Sequence, residues 1–217
     1  MSKKIIFALF LCCASMQLFA QIEFRHGLIL SGGTGNVWNK KLDTNLEWVK
    51  ETLELGGKFS TFGVYNAALG YKFRFEPKPK RIFYDIDLFL GFKKYGEKYG
   101  DESSRFYLPE GENSPNIGYG ERKTNTFYTS LNPSFNYRIN NRFYAGAGLE
   151  PTVYLRFDGK LHAEKFDMPF TTRIGVDLKY VEFALGYKIG FLNRMEGEYY
   201  FKSFNLNDLQ LQLYIPF

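Results

Sequence analysis

The segment IFYDIDLFLGFK, residues 82–93, alternates between two kinds of side chain along its whole length. Most residues at even numbers are aliphatic or aromatic, and the positions between them include aspartates, a glycine and a lysine. An alternation with a period of two is typical of a β-strand whose two faces meet different surroundings. We therefore predict a strand here with one apolar face and one polar face.

The same alternation recurs along the chain and indicates the fold class. Residues 65–75 and 127–139 alternate in this way, and further strands are predicted over 22–30, 143–157, 170–178, 181–191 and 209–217. Each of these roughly eight strands is near the 9–11 residues that cross a bilayer at a tilt. We predict an all-β protein, an eight-stranded antiparallel up-and-down transmembrane β-barrel, with ten strands as the alternative count.

The predicted connections are alternately short and long. The short ones lie at 76–80, 140–141 and 179–180, and the long ones at 31–60, 94–123, 158–167 and 193–205. Outer-membrane barrels show this asymmetry, with short periplasmic turns and longer extracellular loops. Within the first long connection, helical spacing predicts either a short amphipathic helix at the barrel rim or a strand extending above the membrane, from the positions of Leu42, Leu46, Val49 and Leu53.

The N-terminal segment has the pattern of a secretory signal. Lys3 and Lys4 precede an apolar run over residues 5–13 that is too short to span a bilayer. We predict cleavage after Ala20, leaving a barrel domain over 21–217 without cysteine, because Cys12 and Cys13 lie in the removed segment. The bulky residues before Cys12 argue against lipidation there. The formal net charge falls from +5 to about +3, which does not indicate a nucleic-acid partner.

The polar face of the predicted strands carries charges of both signs in nearly equal number. Such a face fits the enclosed lumen of a narrow barrel, where opposite charges could pair and glycines would relieve crowding. The alternative is a soluble barrel with these charges outside and an apolar core. We predict a lumen charge network made of Arg25, Lys72, Arg74, Arg138, Arg156, Arg173, Lys188, Glu23, Asp85, Asp87, Glu150, Asp177 and Glu182, interspersed with Gly70, Gly91, Gly146, Gly148, Gly175 and Gly186.

The terminal segment LQLQLYIPF, residues 209–217, alternates as well, and its apolar side chains would face lipid. It resembles the C-terminal assembly signal of outer-membrane β-barrels, a final amphipathic strand ending in phenylalanine that the barrel-assembly machinery captures by strand addition. Aromatic residues near the predicted turns resemble an interfacial girdle: Tyr71, Phe73, Phe75, Tyr84, Tyr137 and Phe143. The predicted signal consists of Leu209, Leu211, Leu213, Ile215 and Phe217.

On these features the chain resembles small outer-membrane β-barrel proteins of the OmpA-transmembrane or OmpX type. The signal peptide cut before Gln21 is similar to those of Bacteroidetes outer-membrane barrels. The resemblance implies a Gram-negative outer membrane, extracellular loops, periplasmic termini, and membrane lipid and the assembly machinery as partners. It brings no catalytic residues and no cofactor. Because the predicted barrel extends to residue 217, the resemblance does not imply the peptidoglycan-binding domain of OmpA.

Other functional patterns in the sequence are weak. Gly32 and Gly35 match two positions of a dinucleotide-binding turn, but Trp38 stands where a third small residue is needed. His26 and His162 are the two histidines, and neither belongs to a His-x-Ser pattern of a lipid-modifying barrel enzyme; a metal site is not predicted. Two hypotheses remain: a non-enzymatic structural or surface-interaction barrel, or a narrow pore or lateral-opening transporter for a small solute or hydrophobic ligand.

Overall fold

The computed structural model describes residues 22–42, 44–54, 58–78, 80–99, 120–157, 166–192 and 201–217. The predicted signal peptide, with Cys12 and Cys13, lies outside the described residues. So do His162, the centres of the second, third and fourth predicted loops, and the side chain of Arg156.

The described residues form antiparallel strands and one short helix. In chain order the elements are β1 (Ile22–Leu42), α1 (Glu47–Glu54), β2 (Phe59–Pro77), β3 (Ile82–Tyr99), β4 (Gly120–Arg138), β5 (Phe143–Leu149), β6 (Thr152–Phe157), β7 (Phe166–Asp167), β8 (Phe170–Asp177), β9 (Glu182–Ile189) and β10 (Phe201–Pro216).

These strands close into an eight-stranded barrel, as the alternation predicts. Each sequential neighbour pairs antiparallel, and β1 pairs with β10 to close the sheet. The segments β5 and β6 are two parts of one barrel strand, and β7 and β8 are two parts of the next, since β4 pairs with both β5 and β6. Closure leaves this part of the sheet without an unpaired edge.

Prolines account for the two interruptions. Pro151 separates β5 from β6 and Pro169 separates β7 from β8, and proline has no N–H to donate to a ladder. Their carbonyls still pair: Leu131 N donates to Pro151 O at 3.1 Å, and Glu150 N donates to Pro169 O at 2.8 Å. The hydrogen-bonded wall therefore continues across both prolines.

The strands on one side of the barrel are longer than the sequence pattern predicts. The prediction of loop over residues 31–42 is wrong, because β1 continues to Leu42 and pairs with β10 as far as Phe201. Likewise β3 and β4 pair out to Tyr99 and Gly120. Along these extensions the apolar–polar alternation stops while the backbone ladder continues. The helix predicted between β1 and β2 is present as α1.

The three short turns lie at one end of the barrel, which we call the turn end, and the opposite end is the loop end. In the turn between β4 and β5, Asn140 Oδ1 accepts hydrogen bonds from the backbone of Arg142 and Phe143 at 2.9 and 2.8 Å. In the turn between β8 and β9, Lys179 has a φ of 76° and its N–H donates to Asp177 Oδ1. These bonds hold the turns in one conformation.

The two faces of the wall have opposite character. On β3, Asp85 and Asp87 are fully buried inside the barrel, whereas Leu88 and Leu90 lie on the outer wall, the latter 66% exposed. The soluble-barrel alternative, with charges outside and an apolar core, is therefore wrong. Among the described residues, no helix is long and apolar enough to span a bilayer.

Glycines on the inner face make room for tyrosine rings. A Cβ at Gly91 would lie 2.2 Å from the ring of Tyr128, the residue directly opposite on β4. A Cβ at Gly175 would lie 2.3 Å from the ring of Tyr144, opposite on β5. Each ring thus covers a glycine on the neighbouring strand and extends into the lumen, an arrangement in which a bare glycine gains an aromatic cross-strand partner.

Candidate functional site

The barrel lumen holds the charged residues of the chain's polar face, and they occupy three levels. The middle level contains three cations and three carboxylates, all almost completely buried: Lys72, Arg74, Arg173, Asp85, Asp87 and Glu182. The strands that carry them are β2, β3, β8 and β9, so the cluster crosses the lumen from one wall to the other. Its formal charges cancel.

Arg74 is the centre of the middle level. Its Nε and Nη2 donate to the two oxygens of Asp85 at 2.7 and 2.8 Å. Its Nη1 and Nη2 also donate to the two oxygens of Glu182 at 2.5 and 3.0 Å. The guanidinium is therefore clamped by two bidentate carboxylates, one on the adjacent strand and one across the lumen.

Lys72 and Arg173 complete the neutralisation of the middle level. Lys72 Nζ lies 3.3 Å from Asp85, 3.4 Å from Glu182 and 3.8 Å from Asp87. Arg173 Nη1 lies 2.9 Å from Asp87 Oδ2, and its Nη2 donates to Ser134 Oγ at 2.6 Å. Each buried charge in this cluster thus has an opposite charge beside it, which buried ions require.

Aromatic rings fill the space around these ions. The Arg74 guanidinium lies 4.2 Å from the ring centre of Phe83, and the rings of Tyr144 and Tyr214 lie at 5.6 and 5.5 Å. Tyr144 Oη also donates to Glu182 Oε1 at 2.5 Å. A barrel of eight strands is just wide enough for its own side chains to fill. Ions and rings together occupy the middle of this lumen.

The level nearest the loop end contains two further buried ion pairs. Lys188 Nζ donates to Glu150 Oε1 at 2.6 Å, and Ser130 Oγ donates to the same oxygen at 2.9 Å. Lys93 Nζ donates to Asp208 Oδ2 at 2.5 Å, which joins β3 to β10 across the lumen. Both pairs link strands that are not neighbours in the sheet.

The level at the turn end is more open. Arg138 donates to Glu76 at 2.8 Å and to Asp177 at 3.2 Å. Arg25 lies 3.5 Å from Asp177 and 3.8 Å from Glu76, and nearly a third of its side chain is exposed. A cavity of about 940 Å³ opens here, lined by this level and by the three turns. We call this space the turn-end cavity.

The structure places the predicted lumen residues as follows. The middle level, the Lys188–Glu150 pair and the turn-end residues Arg25, Arg138 and Asp177 all lie inside the wall, with Glu23 at the turn-end rim beside Lys80. Four buried charges of the described residues were left out of the predicted network: Glu76, Lys93, Asp167 and Asp208. Lys93 already lies on the polar face of the predicted strand 82–93, and the other three continue the even–odd register of their neighbours beyond the predicted strand ends.

The last strand lies in the wall with its two faces separated. Leu209, Leu211, Ile215 and Phe217 are exposed on the outside, with Leu213 partly covered, and Gln210, Gln212 and Tyr214 are buried inside. Phe217 N donates to His26 O at 2.9 Å, which continues the pairing with β1. β10 therefore contributes equally to the outer surface and to the lumen.

Aromatic residues concentrate at two heights on the outer wall. At the turn end, exposed rings surround the barrel: Phe24, Tyr84, Phe135, Tyr137, Phe143, Tyr180 and Phe217. The predicted girdle residues Tyr71, Phe73 and Phe75 are partly covered by these rings. A second group lies nearer the loop end, where the ring of Phe92 contacts those of Tyr65 and Phe127 with centroids 5.7 and 5.1 Å apart. Leucine and isoleucine dominate the wall between them.

The weak functional patterns of the sequence can be located in the described part of the chain. His26 lies on the outer wall, where its Nδ1 is 2.6 Å from Tyr71 Oη and its ring contacts Phe217. Within the described ranges no group of three or more histidine, cysteine or acidic side chains is placed to hold a metal ion. Gly32 and Gly35 lie within β1 and pair with β10, so they do not form a dinucleotide-binding turn.

Comparisons with known proteins give similar solved structures only. No protein-family model matches the sequence, and no curated protein matches it significantly. Neisserial surface protein A is similar with a TM-score of 0.43 and 10% identity, over 90% of this chain and 99% of that chain. OprG from Pseudomonas aeruginosa has a TM-score of 0.41 and 11% identity, over 90% of this chain and 92% of that one. Ail of Yersinia pestis, solved with a heparin analogue, has a TM-score of 0.38 and 11% identity, over 90% and 99%.

Proposed function

We propose that this protein is a non-enzymatic, integral outer-membrane β-barrel with a closed, side-chain-filled lumen and a structural or surface-interaction role at its loop end. In this proposal the loops are extracellular and the turn end, with Ile22 and Phe217, is periplasmic. The observation that carries it is the inverted polarity of the wall. Buried ions lie inside, and large exposed apolar side chains cover the outside.

The outer wall has the composition that a bilayer requires. Monomeric soluble proteins rarely expose contiguous apolar patches beyond a few hundred Å², whereas here exposed leucines and isoleucines continue from strand to strand. Tyr84 of the turn-end aromatic group and Phe92 of the other are eight residues apart on β3. That spacing is about 26 Å along a strand, and about 20 Å after a typical tilt, close to the apolar band of outer-membrane barrels.

The middle level supports a closed lumen. Arg74 is held by four hydrogen bonds to two carboxylates, and Phe83, Tyr144 and Tyr214 pack around it. Opening a path for a solute would require separating ion pairs that are fully withdrawn from water, which is costly because each ion would remain buried without its partner. A filled lumen of this kind supports a structural role over transport.

The extended wall supports a role at the loop end. β1 to β4 continue beyond the second aromatic group, and α1 lies between β1 and β2 with Val49 fully buried. A hydrogen-bonded wall above the membrane surface presents a more rigid platform than a loop of the same length. We therefore propose this face as the site of contact with partners outside the cell.

The alternative function is a narrow pore, and the turn-end cavity of about 940 Å³ favours it, since it could be one vestibule of a channel. Planar-bilayer recording separates the two. We expect the wild-type barrel to give a silent membrane, and the variant Tyr144→Ala/Tyr214→Ala, which removes two rings from the middle level, to give small conductance steps.

The matched control for the recording is Tyr84→Ala/Tyr137→Ala, which removes the same two rings from the outer wall and should stay silent. Folding of all three proteins is checked by the gel-mobility shift between heated and unheated samples. Reproducible single-sized steps from the wild type would contradict the closed lumen and support the pore.

We also propose that β10 is the strand recognised during insertion. Its outer residues Leu209, Leu211, Leu213, Ile215 and Phe217 form one apolar row, and its backbone pairs with both β1 and β9. A strand that pairs on both edges when the barrel is closed can first pair with an assembly factor at one edge.

A further inference from the structure

We infer that the turn-end cavity is a binding site for a small polyanion carrying phosphate groups. The cavity lies at the mouth of the barrel below the middle level, so binding there does not depend on whether the lumen conducts. It is carried by the charge, size and closed end of the cavity.

The cavity has a strong excess of positive charge. Six cations line it: Arg25, Lys80, Arg81, Arg138, Arg142 and Lys179. Two carboxylates line it as well, Glu76 and Asp177, which leaves a formal net charge of +4. Even if Glu23, which pairs with Lys80 at the rim, is included, an excess of three positive charges remains.

All three short turns contribute to this excess. Lys80 and Arg81 come from the turn between β2 and β3, Arg142 from the turn between β4 and β5, and Lys179 from the turn between β8 and β9. In the second and third of these turns, hydrogen bonds from the backbone to Asn140 and Asp177 fix where Arg142 and Lys179 are presented. The cations therefore converge on one opening from several strands, which differs from a run of solvated charges along one segment.

The lining cations retain capacity to bind an anion. Lys80, Arg81, Arg142 and Lys179 are exposed. Arg138, although it bonds Glu76 and Asp177, keeps its buried Nε without a hydrogen-bond partner. Arginine dominates the set, and its planar fork matches the oxygens of phosphate better than the point charge of lysine does.

The cavity is closed at its inner end. The Arg138 guanidinium lies 4.9 Å from the ring centre of Phe83, and Arg74 of the middle level lies 4.2 Å from the same ring. The cavity therefore ends where the neutral cluster begins. Its volume of about 940 Å³ is in the range of small-molecule sites, which extends to roughly 1,000 Å³. A compact anion with two or more negative charges, such as a diphosphate or a phosphorylated metabolite or headgroup, matches both the volume and the charge.

Isothermal titration with inorganic diphosphate tests the site. The full barrel is refolded in a non-ionic detergent, and binding is measured at low and physiological salt. We expect saturable binding with one site per barrel. In Arg142→Gln/Lys179→Asn the affinity should fall about tenfold or more, as expected for loss of one to two charge-assisted hydrogen bonds. Asparagine at position 179 tolerates the positive φ, so this variant should keep the turn.

The matched control is Lys50→Gln/Lys58→Gln, which removes the same charge at the loop end and should bind diphosphate as the wild type does. The single variant Lys179→Asn, with a smaller loss, serves if the double variant does not fold. Absence of saturable binding to the wild type, or an equal loss in the two double variants, would overturn the site. Citrate binding as tightly as diphosphate would overturn the assignment to phosphate.

Two titrations in membranes of different lipid composition then identify the source of the phosphate. The same titration is made in phosphatidylcholine nanodiscs and in nanodiscs that contain phosphatidylglycerol. Weaker apparent diphosphate binding in the second would support the site with an anionic lipid headgroup as its occupant. Equal binding in both would support the site with a soluble phosphate compound as its occupant.

Discussion

The inner and outer faces of each barrel strand differ in the polarity and the exposure of their side chains. On β3 the neighbours Asp87 and Leu88 are 0% and 44% exposed, one inside a ring of ions and the other on an apolar wall. In a soluble barrel the exposed residue would be the aspartate. The interior of the barrel is a network of paired charges, whereas the outer wall exposes its apolar side chains.

The largest expected effect is on the inside, at Arg74. Arg74→Met should lower the free energy of unfolding by about 3–5 kcal/mol, because Asp85 and Glu182 would then be buried with less compensation. Arg25→Met is the matched control: its ion pairs are 3.5–3.8 Å long at a partly exposed site, and it should cost less than about 1 kcal/mol. Urea unfolding in lipid vesicles measures both. Equal losses would mean that the middle level does not stabilise the barrel.

The next effect is on the outside, at Leu88. Leu88→Arg places a charge midway between the two aromatic groups and should cost about 2–4 kcal/mol, while Tyr84→Arg at the turn-end group should cost about 0–1 kcal/mol. The dependence on depth is specific to a bilayer, and the same vesicle experiment measures it. If both arginines were tolerated equally, the outer wall would not lie in hydrocarbon.

A smaller effect is expected where the inner face is tightly packed. Gly91→Ala should cost about 1–3 kcal/mol, because the new methyl group would overlap the Tyr128 ring. Gly186→Ala is the control on the same face: its nearest atom, Gln212 Nε2, would be 3.6 Å from the methyl group. A similar cost at both positions would show that the contact with Tyr128 does not decide the choice of glycine.

The smallest equilibrium effect is expected at Phe217. Deleting this residue removes one backbone hydrogen bond to His26 and an exposed ring, so the free energy of unfolding should fall by about 1 kcal/mol. Assembly should suffer more, and the folded fraction is measured with the assembly machinery reconstituted in vesicles. Insertion of the shortened chain at the wild-type rate would contradict the proposed role of β10 in recognition.

The sequence pattern predicts the two faces well and the pairing within the lumen poorly. The even–odd alternation along β3 places Asp85 and Asp87 inside, because successive side chains of a strand point to opposite faces. The even–odd alternation does not reveal that Arg74 reaches Glu182 across the lumen. That contact depends on the tilt and stagger of strands far apart in sequence.

The loop-end strands could not be predicted for a different reason. Along 31–42 the segment SGGTGNVWNKKL has no apolar face, and β-strand patterns are read from such a face. Its strand structure comes from backbone pairing with β10, which the sequence does not display. The position of Gly63 could not be interpreted from the sequence for the same reason. β2 has a bulge there and approaches the backbone of Gly35, and this contact forms only in the closed barrel.

The most direct test of the inverted polarity is site-directed spin labelling of the barrel in vesicles. Both cysteines of the chain lie within residues 1–20, so a single cysteine introduced in the processed protein at Leu90, Ile174 or Leu211 would report one position of the wall. Labels at these three sites should be relaxed by oxygen and protected from a water-soluble nickel complex, whereas a label at Lys179 in a turn should show the reverse. Ready access of the nickel complex to all three wall positions would contradict the account.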